Sequence, residues 1–262
     1  MLRALHSAAS GMEALQLNMD NIAHNLANVN TTGFKQRRTQ FQDLLYQNLV
    51  APGSNASTST EVPTGLQIGL GTRAVSNEIL FLQGDYMETG NELDLVVEGR
   101  GFFQVRLPDG QIAYSRSGAF HLDRDGNIVT AAGDPVEPQI NIPREATKIS
   151  IAADGTVSVN LPGQPNAQQV GRFDLATFSN PAGLNSIGKN LFLPTASSGD
   201  PVTSTAGENG TGTLLQGFLE QSNVNIVKEM INLIISQRAY ESNSRVVRTA
   251  DQMYQEVNNM VR

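Results

Sequence analysis

The stretch that decides the fold is the end of the chain, residues 226–262, which reads IVKEMINLIISQRAYESNSRVVRTADQMYQEVNNMVR. An apolar or aromatic side chain recurs there at every seventh position: Ile226, Leu233, Tyr240, Val247, Tyr254 and Val261. A second, offset stripe contains Met230, Ala250 and Val257, and is interrupted by Gln237 and Ser244. A period of seven is typical of a helix that packs along another helix, so this segment is predicted to be half of a helix pair.

The partner helix is predicted at the opposite end of the chain, over residues 2–29. Its apolar positions step by three and four residues: Leu5, Ala8, Met12, Leu15, Met19, Ile22, Leu26 and Val29. Two such helices at opposite ends predict a coiled coil that closes the chain on itself. We therefore expect a discontinuous terminal coiled-coil domain, residues 1–30 plus 223–262, with Asn223 or Asn225 capping the second helix.

An energy estimate indicates that these helices need partners. Burial of the eight apolar side chains of the first helix contributes roughly 12–24 kcal/mol, whereas ordering about 30 backbone units costs roughly 30–60 kcal/mol. Hydrogen bonds offset part of the difference, yet isolated helices remain marginal in water. Further apolar positions beside the main stripes indicate contacts with other copies of the chain: Leu2, Ala9, Ala23, Val227, Ile231, Ile234 and Ile235.

Between the helices the sequence pattern changes to that of short strands. Strands are predicted at Leu93–Val97, Phe102–Val105, Ile112–Tyr114, Phe120–Leu122, Ile128–Val129, Ile149–Ile151, Val157–Val159 and Gly171–Leu175. Asp-Gly pairs at 109–110, 125–126 and 154–155 predict hairpin turns that need a positive φ. These signals predict an inserted all-β domain at about residues 93–178.

The remaining residues are predicted to be connectors, which gives an α+β fold. They comprise residues 31–92 and 179–222, with an extended insertion at about 46–66. Residues 51–64 and 195–213 are rich in Ser, Thr, Gly and Pro, so we expect them to be extended, flexible or loop-like.

Composition and charge exclude several classes of protein. The chain has no Cys, so disulfides and thiolate metal sites are excluded. Residues 51–220 carry eighteen acidic and nine basic groups, which argues against nucleic-acid binding and suits a solvated outer surface. No apolar run is long enough for a transmembrane segment, and the N-terminus lacks the apolar run of a cleavable signal peptide. If the protein is exported, another route must recognise it.

No pattern predicts catalysis, a cofactor or a metal site. His6, His24 and His121 are scattered along the chain, and no nucleophile motif is present. Residues 123–127 faintly resemble a calcium loop, but a hairpin turn is the better interpretation because the downstream Glu is missing. A pair of carboxylates brought together by folding, as in a glycosidase, stays an alternative that nothing in the sequence marks. The basic residues Lys35, Arg37 and Arg38 are interpreted as a solvated turn or a salt bridge between subunits.

Four motifs resemble those of bacterial flagellar rod and hook proteins. The N-terminal signature spans residues 25–35, NLANVNTTGFK, and includes Asn25, Asn28, Gly33, Phe34 and Lys35. Residues 41–44 (FQDL) follow it, and the motif at the start of the β region includes Gly101, Phe102 and Phe103. The closing signature spans residues 222–225 and 237–244, and includes Gln237, Arg238, Tyr240 and Glu241. The chain length and the 46–66 insertion most resemble the distal-rod members of this family.

The resemblance implies a structural axial subunit of the flagellar basal body and not an enzyme. Copies are expected to polymerise helically into a tube, the drive shaft that transmits torque from motor to hook. Implied partners are other rod subunits, the hook protein, the flagellar type III export apparatus and the bushing rings, in a rod that crosses the periplasm. The residues expected at the coiled-coil or polymer interface are Leu5, Met12, Leu15, Met19, Ile22, Leu26, Val29, Ile226, Met230, Leu233, Tyr240, Val247 and Tyr254.

Three alternatives stay open at this point. The chain could be another axial subunit, from the proximal rod or the hook. An adhesin or phage-tail component would also combine heptads with a β domain. A peptidoglycan-active protein is the enzymatic alternative.

Overall fold

The computed structural model describes residues 2–52, 55–57, 60–61, 64–163 and 166–260. They form two α-helices and many short strands, which confirms the predicted α+β class. The chain divides into two compact units. The first consists of residues 1–27, 37–78 and 225–262, and the second of residues 28–36 and 79–224.

The first unit contains both helices, α1 (Leu2–Ala27) and α2 (Ile226–Met260). Helix α2 begins at the predicted residue because the Asn225 side chain accepts a hydrogen bond from the Lys228 N–H at 3.0 Å, which satisfies a donor that the first turn leaves free. The predicted heptad residue Val261 lies outside the described residues, and so does the side chain of Val257. Neither helix has an 18-residue window apolar enough to cross a membrane, among the residues described.

Among the described residues, six strands lie in the first unit where a polar connector was expected: β1 Arg37–Asp43, β2 Tyr46–Val50, β3 Asn55–Ser57, β4 Thr60–Glu61, β5 Leu66–Gly69 and β6 Thr72–Ile79. Strand β2 pairs with β5 from Tyr46↔Gly69 to Val50↔Leu66, and β3 pairs with β4. Strand β1 pairs with β6. The described part of the 46–66 insertion is therefore extended and paired, while residues 53, 54, 58, 59, 62 and 63 lie outside the described residues.

The second unit holds the remaining strands and the aromatic core. Their bounds are β7 Tyr86–Glu88, β8 Leu95–Glu98, β9 Phe102–Arg106, β10 Ile112–Ser115, β11 Phe120–Leu122, β12 Ile128–Thr130, β13 Val136–Glu137, β14 Lys148–Ile151, β15 Thr156–Asn160, β16 Gln168–Arg172, β17 Asp174–Thr177, β18 Asn185–Gly188, β19 Leu191–Leu193, β20 Val202–Thr205, β21 Thr213–Gln216 and β22 Phe218–Glu220. A short 3₁₀-helix spans Pro181–Gly183. The largest sheet has the order β18-β19-β10-β9-β17-β20, with β13 also paired to β9.

The predicted hairpin turns are confirmed, whereas the loop-like interpretation of residues 195–213 is wrong in part. Gly110, Gly126 and Gly155 have φ of 84°, 85° and 87°. Residues 123–127 join the antiparallel strands β11 and β12, as the hairpin interpretation required. Strand β20, however, lies within 195–213 and pairs with β17 over Asp174↔Thr205 to Thr177↔Val202. The strand was not predicted because its sequence, VTST, is mostly Ser and Thr. Such a sequence is tolerated in β20 because the strand lies at the edge of the sheet and needs little apolar surface.

Strand β9 explains why the signature contains two adjacent phenylalanines. Successive residues of a strand point to opposite faces of the sheet. Phe103 belongs to the main core and meets Phe120 edge-on, with ring centroids 5.0 Å apart. Phe102 belongs to a second cluster, where its ring centroid is 5.7 Å from that of Phe178. One dipeptide therefore supplies an aromatic ring to each of the two larger cores of the second unit.

Candidate assembly interface

Helices α1 and α2 face each other through polar side chains as well as apolar ones. The Asn18 side-chain amide donates to the Ser236 hydroxyl at 3.0 Å, and the Asn25 amide donates to a Glu229 carboxylate oxygen at 3.3 Å. Asn25, Glu229 and Ser236 are all buried, and so is Ala250. The buried positions of α2 are thus separated by seven or fourteen residues, but they are not the large apolar residues that the sequence pattern emphasised.

The predicted interface residues divide into buried and exposed groups. On α1, Ile22 is buried, and Leu5, Met12, Leu15, Met19 and Leu26 are half-buried. Val29 is half-buried in the second unit. On α2, Leu233 and Val247 are half-buried, whereas the exposed residues are Ile226, Met230, Tyr240 and Tyr254.

The first ten residues of α2 carry a continuous apolar surface that the chain itself leaves uncovered. Six large apolar side chains there are 46–67% exposed: Ile226, Val227, Met230, Ile231, Ile234 and Ile235. We call this set the α2 apolar face. Contiguous apolar surface of this kind marks an interaction site in a soluble protein.

Asn25 is a signature residue with a clear structural task in the first unit. Its amide donates to the carbonyl oxygen of Arg37 at 2.8 Å, and its oxygen accepts the Arg37 N–H at 2.9 Å. This double contact fixes the start of β1 against α1. The neighbouring signature residue Asn28, in the second unit, accepts a hydrogen bond from the Thr31 hydroxyl at 3.2 Å.

Lys35 does not lie in a solvated turn or between subunits, so that interpretation is wrong for this residue. Its ammonium nitrogen lies 2.7 Å from Glu220 Oε1, and Arg116 Nε lies 2.8 Å from Glu220 Oε2. The side chains of Lys35, Glu220 and Arg116 are 2%, 1% and 6% exposed. Arg37 and Arg38, by contrast, belong to β1 in the first unit, where Arg38 pairs with Glu78 at 2.9 Å.

The ion cluster of Lys35, Arg116 and Glu220 is closely hydrogen-bonded. Lys35 donates to the Leu82 carbonyl at 2.6 Å, and the Gly84 N–H donates to Glu220 Oε1 at 2.9 Å. Arg116 donates to the carbonyl oxygens of Val97, Gly99 and Gly101 and to the Gln83 side chain. The cluster therefore joins segments of the second unit that are far apart in sequence.

Burial and pairing set the pKa values in this cluster. Burial lowers the pKa of Lys35, and the Glu220 carboxylate offsets only part of that effect. Burial alone would raise the pKa of Glu220, but the two cations and the Gly84 N–H outweigh it, so the pKa of Glu220 is lowered.

Gly33 brings the N-terminal signature to this cluster. Its φ is 69°, and its N–H donates to the Glu220 carbonyl oxygen at 2.8 Å. A Cβ at this position would lie 2.6 Å from the Ser117 backbone nitrogen. Phe34 is half-buried beside it. The signature residues 33–35 thus build the interior of the second unit.

The closing signature lies mostly on the surface of α2. Gln237, Arg238, Tyr240 and Glu241 are exposed, and Arg238 lies 3.9 Å from Glu241. No group of three or more His, Asp or Glu that could hold a metal ion occurs among the described residues.

Sequence reasoning missed Glu220, Arg116 and Glu229. The signal for Glu220 and Arg116 was weak, since a single charge in a strand-like segment carries no spacing pattern. Glu229 could have been found as a carboxylate at the start of a helix, where the helix dipole favours a negative charge.

Comparison with protein families gives three matches in chain order. Residues 5–35 match the family described as flagella basal body rod protein. Residues 96–159 match the flagellar hook protein FlgE/F/G D1 domain, and residues 215–260 match the flagellar basal body rod FlgEFG protein C-terminal family. These matches define the class as flagellar rod and hook proteins.

Relatives that match over nearly the whole chain identify the family within this class. The flagellar basal-body rod protein FlgG of Caulobacter vibrioides is 49% identical over 255 residues, which cover 97% of each chain. FlgG of Buchnera aphidicola subsp. Acyrthosiphon pisum is 47% identical over 260 residues, or 99% of this chain and 100% of the relative. FlgG of Bacillus subtilis is 39% identical over 267 residues, with both chains covered completely. The chain belongs to the FlgG family of flagellar basal-body rod proteins, which are structural proteins and not enzymes.

Proposed function

We propose that copies of this chain polymerise helically into the distal rod, the tube that transmits torque from motor to hook. The observation that carries the proposal is the α2 apolar face, whose six large side chains lie uncovered in the single chain. Burying each half-exposed side chain would contribute roughly 1 kcal/mol, so several copies in contact would gain much more than one copy can. In the proposed tube, a neighbouring copy of this chain covers the α2 apolar face.

We further propose a layered arrangement of each subunit. The terminal helices form the coiled coil and line the inner tube, the connectors form the next layer, and the inserted β domain faces outward. The three-part division of the chain at about residues 31, 93, 179 and 223 belongs to this proposal. The acidic balance of residues 51–220 supports an outward position, because eighteen acidic against nine basic groups favour contact with water.

Export and partners follow from the same energetics. Before assembly the helices lack part of their apolar contacts, so they can open and thread through the flagellar type III export apparatus. At the growing tip, neighbouring subunits supply the missing contacts and the helices fold against them. Other rod subunits and the hook protein would adjoin the tube at its ends, and the bushing rings would surround it within the periplasm.

The decisive experiment places a charge in the α2 apolar face. Ile234→Asp is expected to abolish rod assembly and motility while leaving the second unit folded, because a carboxylate cannot be buried between neighbouring helices without a partner. Motility, basal bodies in electron micrographs and the denaturant midpoint of the purified chain are measured together.

A matched control separates the effect of where the carboxylate is placed from the effect of adding a negative charge to α2. Gln252→Asp introduces the same carboxylate at an exposed position of α2 outside the apolar face, and it should leave assembly intact. Normal rods in the Ile234→Asp strain would refute the proposed interface. Locating the protein within isolated basal bodies distinguishes the distal rod from the proximal rod and the hook.

A further inference from the structure

A cavity of about 340 Å³ lies beside the ion cluster in the second unit. Its lining includes Lys35 and Arg116 from the cluster, and also the exposed residue Arg100. We call this space the Lys35 cavity. No Asp or Glu belongs to its described lining, although the second unit as a whole has sixteen acidic and nine basic residues. The cavity is therefore a basic site in an acidic unit, and its size is that of a small-molecule site.

The ion cluster leaves a net positive charge beside the Lys35 cavity. Lys35 and Arg116 share the single carboxylate of Glu220, so two cations face one anion. An ammonium group has three donors, and Lys35 uses one at 2.6 Å to the Leu82 carbonyl oxygen and one at 2.7 Å to Glu220. The described residues supply no acceptor for the third donor. Burial lowers the pKa of Lys35 and Glu220 offsets only part of that effect, so a second anion nearby would stabilise the ammonium form.

The apolar part of the lining is mostly aromatic. Phe102 and Phe178 are buried, and Phe81 is half-buried. The ring centroid of Phe102 lies 5.3 Å from that of Phe81 and 5.7 Å from that of Phe178. Val202, which is 56% exposed on the edge strand β20, adds an aliphatic side chain. A ring or a branched apolar group that entered the cavity would find aromatic partners there.

We propose that the Lys35 cavity binds a small organic acid with one carboxylate and an aromatic or branched apolar group. The carboxylate balances the charge that Lys35 and Arg116 share with Glu220, and it accepts the remaining hydrogen bond of Lys35. Its apolar group packs against the three phenylalanine rings. An inorganic anion would leave the rings without contact, and a neutral ring would leave the charge unmatched. The site lies within one chain, so it is independent of the proposed polymer.

Phenylacetate is the probe, because it combines a carboxylate and a ring in a molecule small enough for the cavity. For a ligand of this size we expect a dissociation constant of about 1 mM. The purified full-length chain is titrated at constant ionic strength, and the backbone amide signals of Gly99, Gly101 and Gly210 in the cavity lining are followed by NMR. Acetate, which has the charge alone, and phenylacetamide, which has the ring alone, should each bind at least about tenfold more weakly.

Variants at the exposed part of the lining test where the probe binds. Arg100→Gln removes a cation and is expected to weaken phenylacetate binding up to about fivefold, with an unchanged unfolding midpoint. The control Arg124→Gln removes an exposed cation from the β11–β12 turn and should leave the affinity unchanged. Val202→Glu places a carboxylate in the lining and should weaken binding at least fivefold. Its control is Ile187→Glu, which adds the same group to β18, the opposite edge strand of the same sheet.

A peptide distinguishes a small acid from a segment of another protein. The blocked dipeptide N-acetyl-phenylalanyl-glutamyl amide has the same ring and carboxylate on a longer frame, and it should bind more weakly than phenylacetate. Tighter binding of the dipeptide would overturn the assignment to a small acid. The proposal is also overturned if phenylacetate does not saturate the signals, if acetate or phenylacetamide binds equally well, or if the two lining variants bind phenylacetate as the unaltered chain does.

Discussion

The ion cluster of the second unit and the α2 apolar face reverse the usual distribution of residue types. Three charged side chains, Lys35, Arg116 and Glu220, are nearly inaccessible to water, while six large apolar side chains at the start of α2 are about half exposed. The charges are compensated within the chain by one another and by backbone groups. The apolar side chains are not covered by the chain itself.

The difference teaches which part of the molecule is complete as a single chain. A buried charge is tolerated only where its partners are already present, and the second unit itself supplies the partners of these three charges. An uncovered apolar face is tolerated in a protein that uses it for association. The two regions can therefore be disrupted independently by mutation. The following experiments concern the second unit and are given in order of decreasing effect on the free energy of unfolding.

The largest expected effect is that of Glu220→Ala. It leaves Lys35 and Arg116 buried without a counter-charge and should destabilise the second unit by about 3–5 kcal/mol. Denaturant unfolding of the full-length chain, followed by tyrosine fluorescence and circular dichroism, measures the change. The control Glu88→Ala removes an exposed carboxylate from β7 and should change the free energy of unfolding by less than about 0.5 kcal/mol. Equal stability of the two variants would show that the cluster is not needed for the fold.

The next effect concerns Gly33, which combines a positive φ with a crowded backbone. Gly33→Ala is expected to cost about 1–3 kcal/mol or more, because the new methyl group meets Ser117 in addition to the backbone strain. Gly90→Ala is a matched control, since Gly90 has a φ of 68° but no neighbouring atom within 4 Å of a Cβ. The difference between the two unfolding free energies measures the crowding alone. If the variants lose equal stability, the close approach to Ser117 is unimportant.

The smallest effect is the acid dependence of the ion cluster. The pKa of Glu220 is lowered below its ordinary value of 4.5, so the unfolded chain binds more protons than the folded chain in this range. The stabilisation from Glu220 is fully present above about pH 4.5 and is lost as the pH falls through the folded pKa. The stability gap between the wild type and Glu220→Gln should therefore narrow on acidification below pH 4.5. A gap that stays constant down to pH 3 would contradict this account.

The sequence predicts the elements whose pattern is local. Both helices and the Asp-Gly hairpins were found, since heptads and turn residues act over a few positions. Strands β18 to β20 were not, because each has only three or four residues, too few to show a clear alternation, and becomes a strand only by pairing with its neighbours. The ion cluster was invisible for a related reason, since Lys35, Arg116 and Glu220 carry no pattern until folding brings them together.

The packing of the helix pair could be predicted from the sequence only in part. The period of seven is visible in the sequence, but heptad reasoning assumes that the largest apolar residues form the seam between the helices. In the structure α2 turns Glu229, Ser236 and Ala250 towards the inside and leaves Ile231 and Ile235 exposed. Most of the large apolar residues at the start of α2 are therefore not the ones that pack against α1.

The span of the ion cluster limits the order in which the chain can fold as it emerges from the ribosome. The second unit needs a cation at residue 35 and an anion at residue 220, so most of the polypeptide must be released before its interior can close. A nascent chain that stops short of residue 220 contains Lys35 and Arg116 without the carboxylate that pairs with both in the folded unit. Closure of the second unit before residue 220 is available is therefore unfavourable.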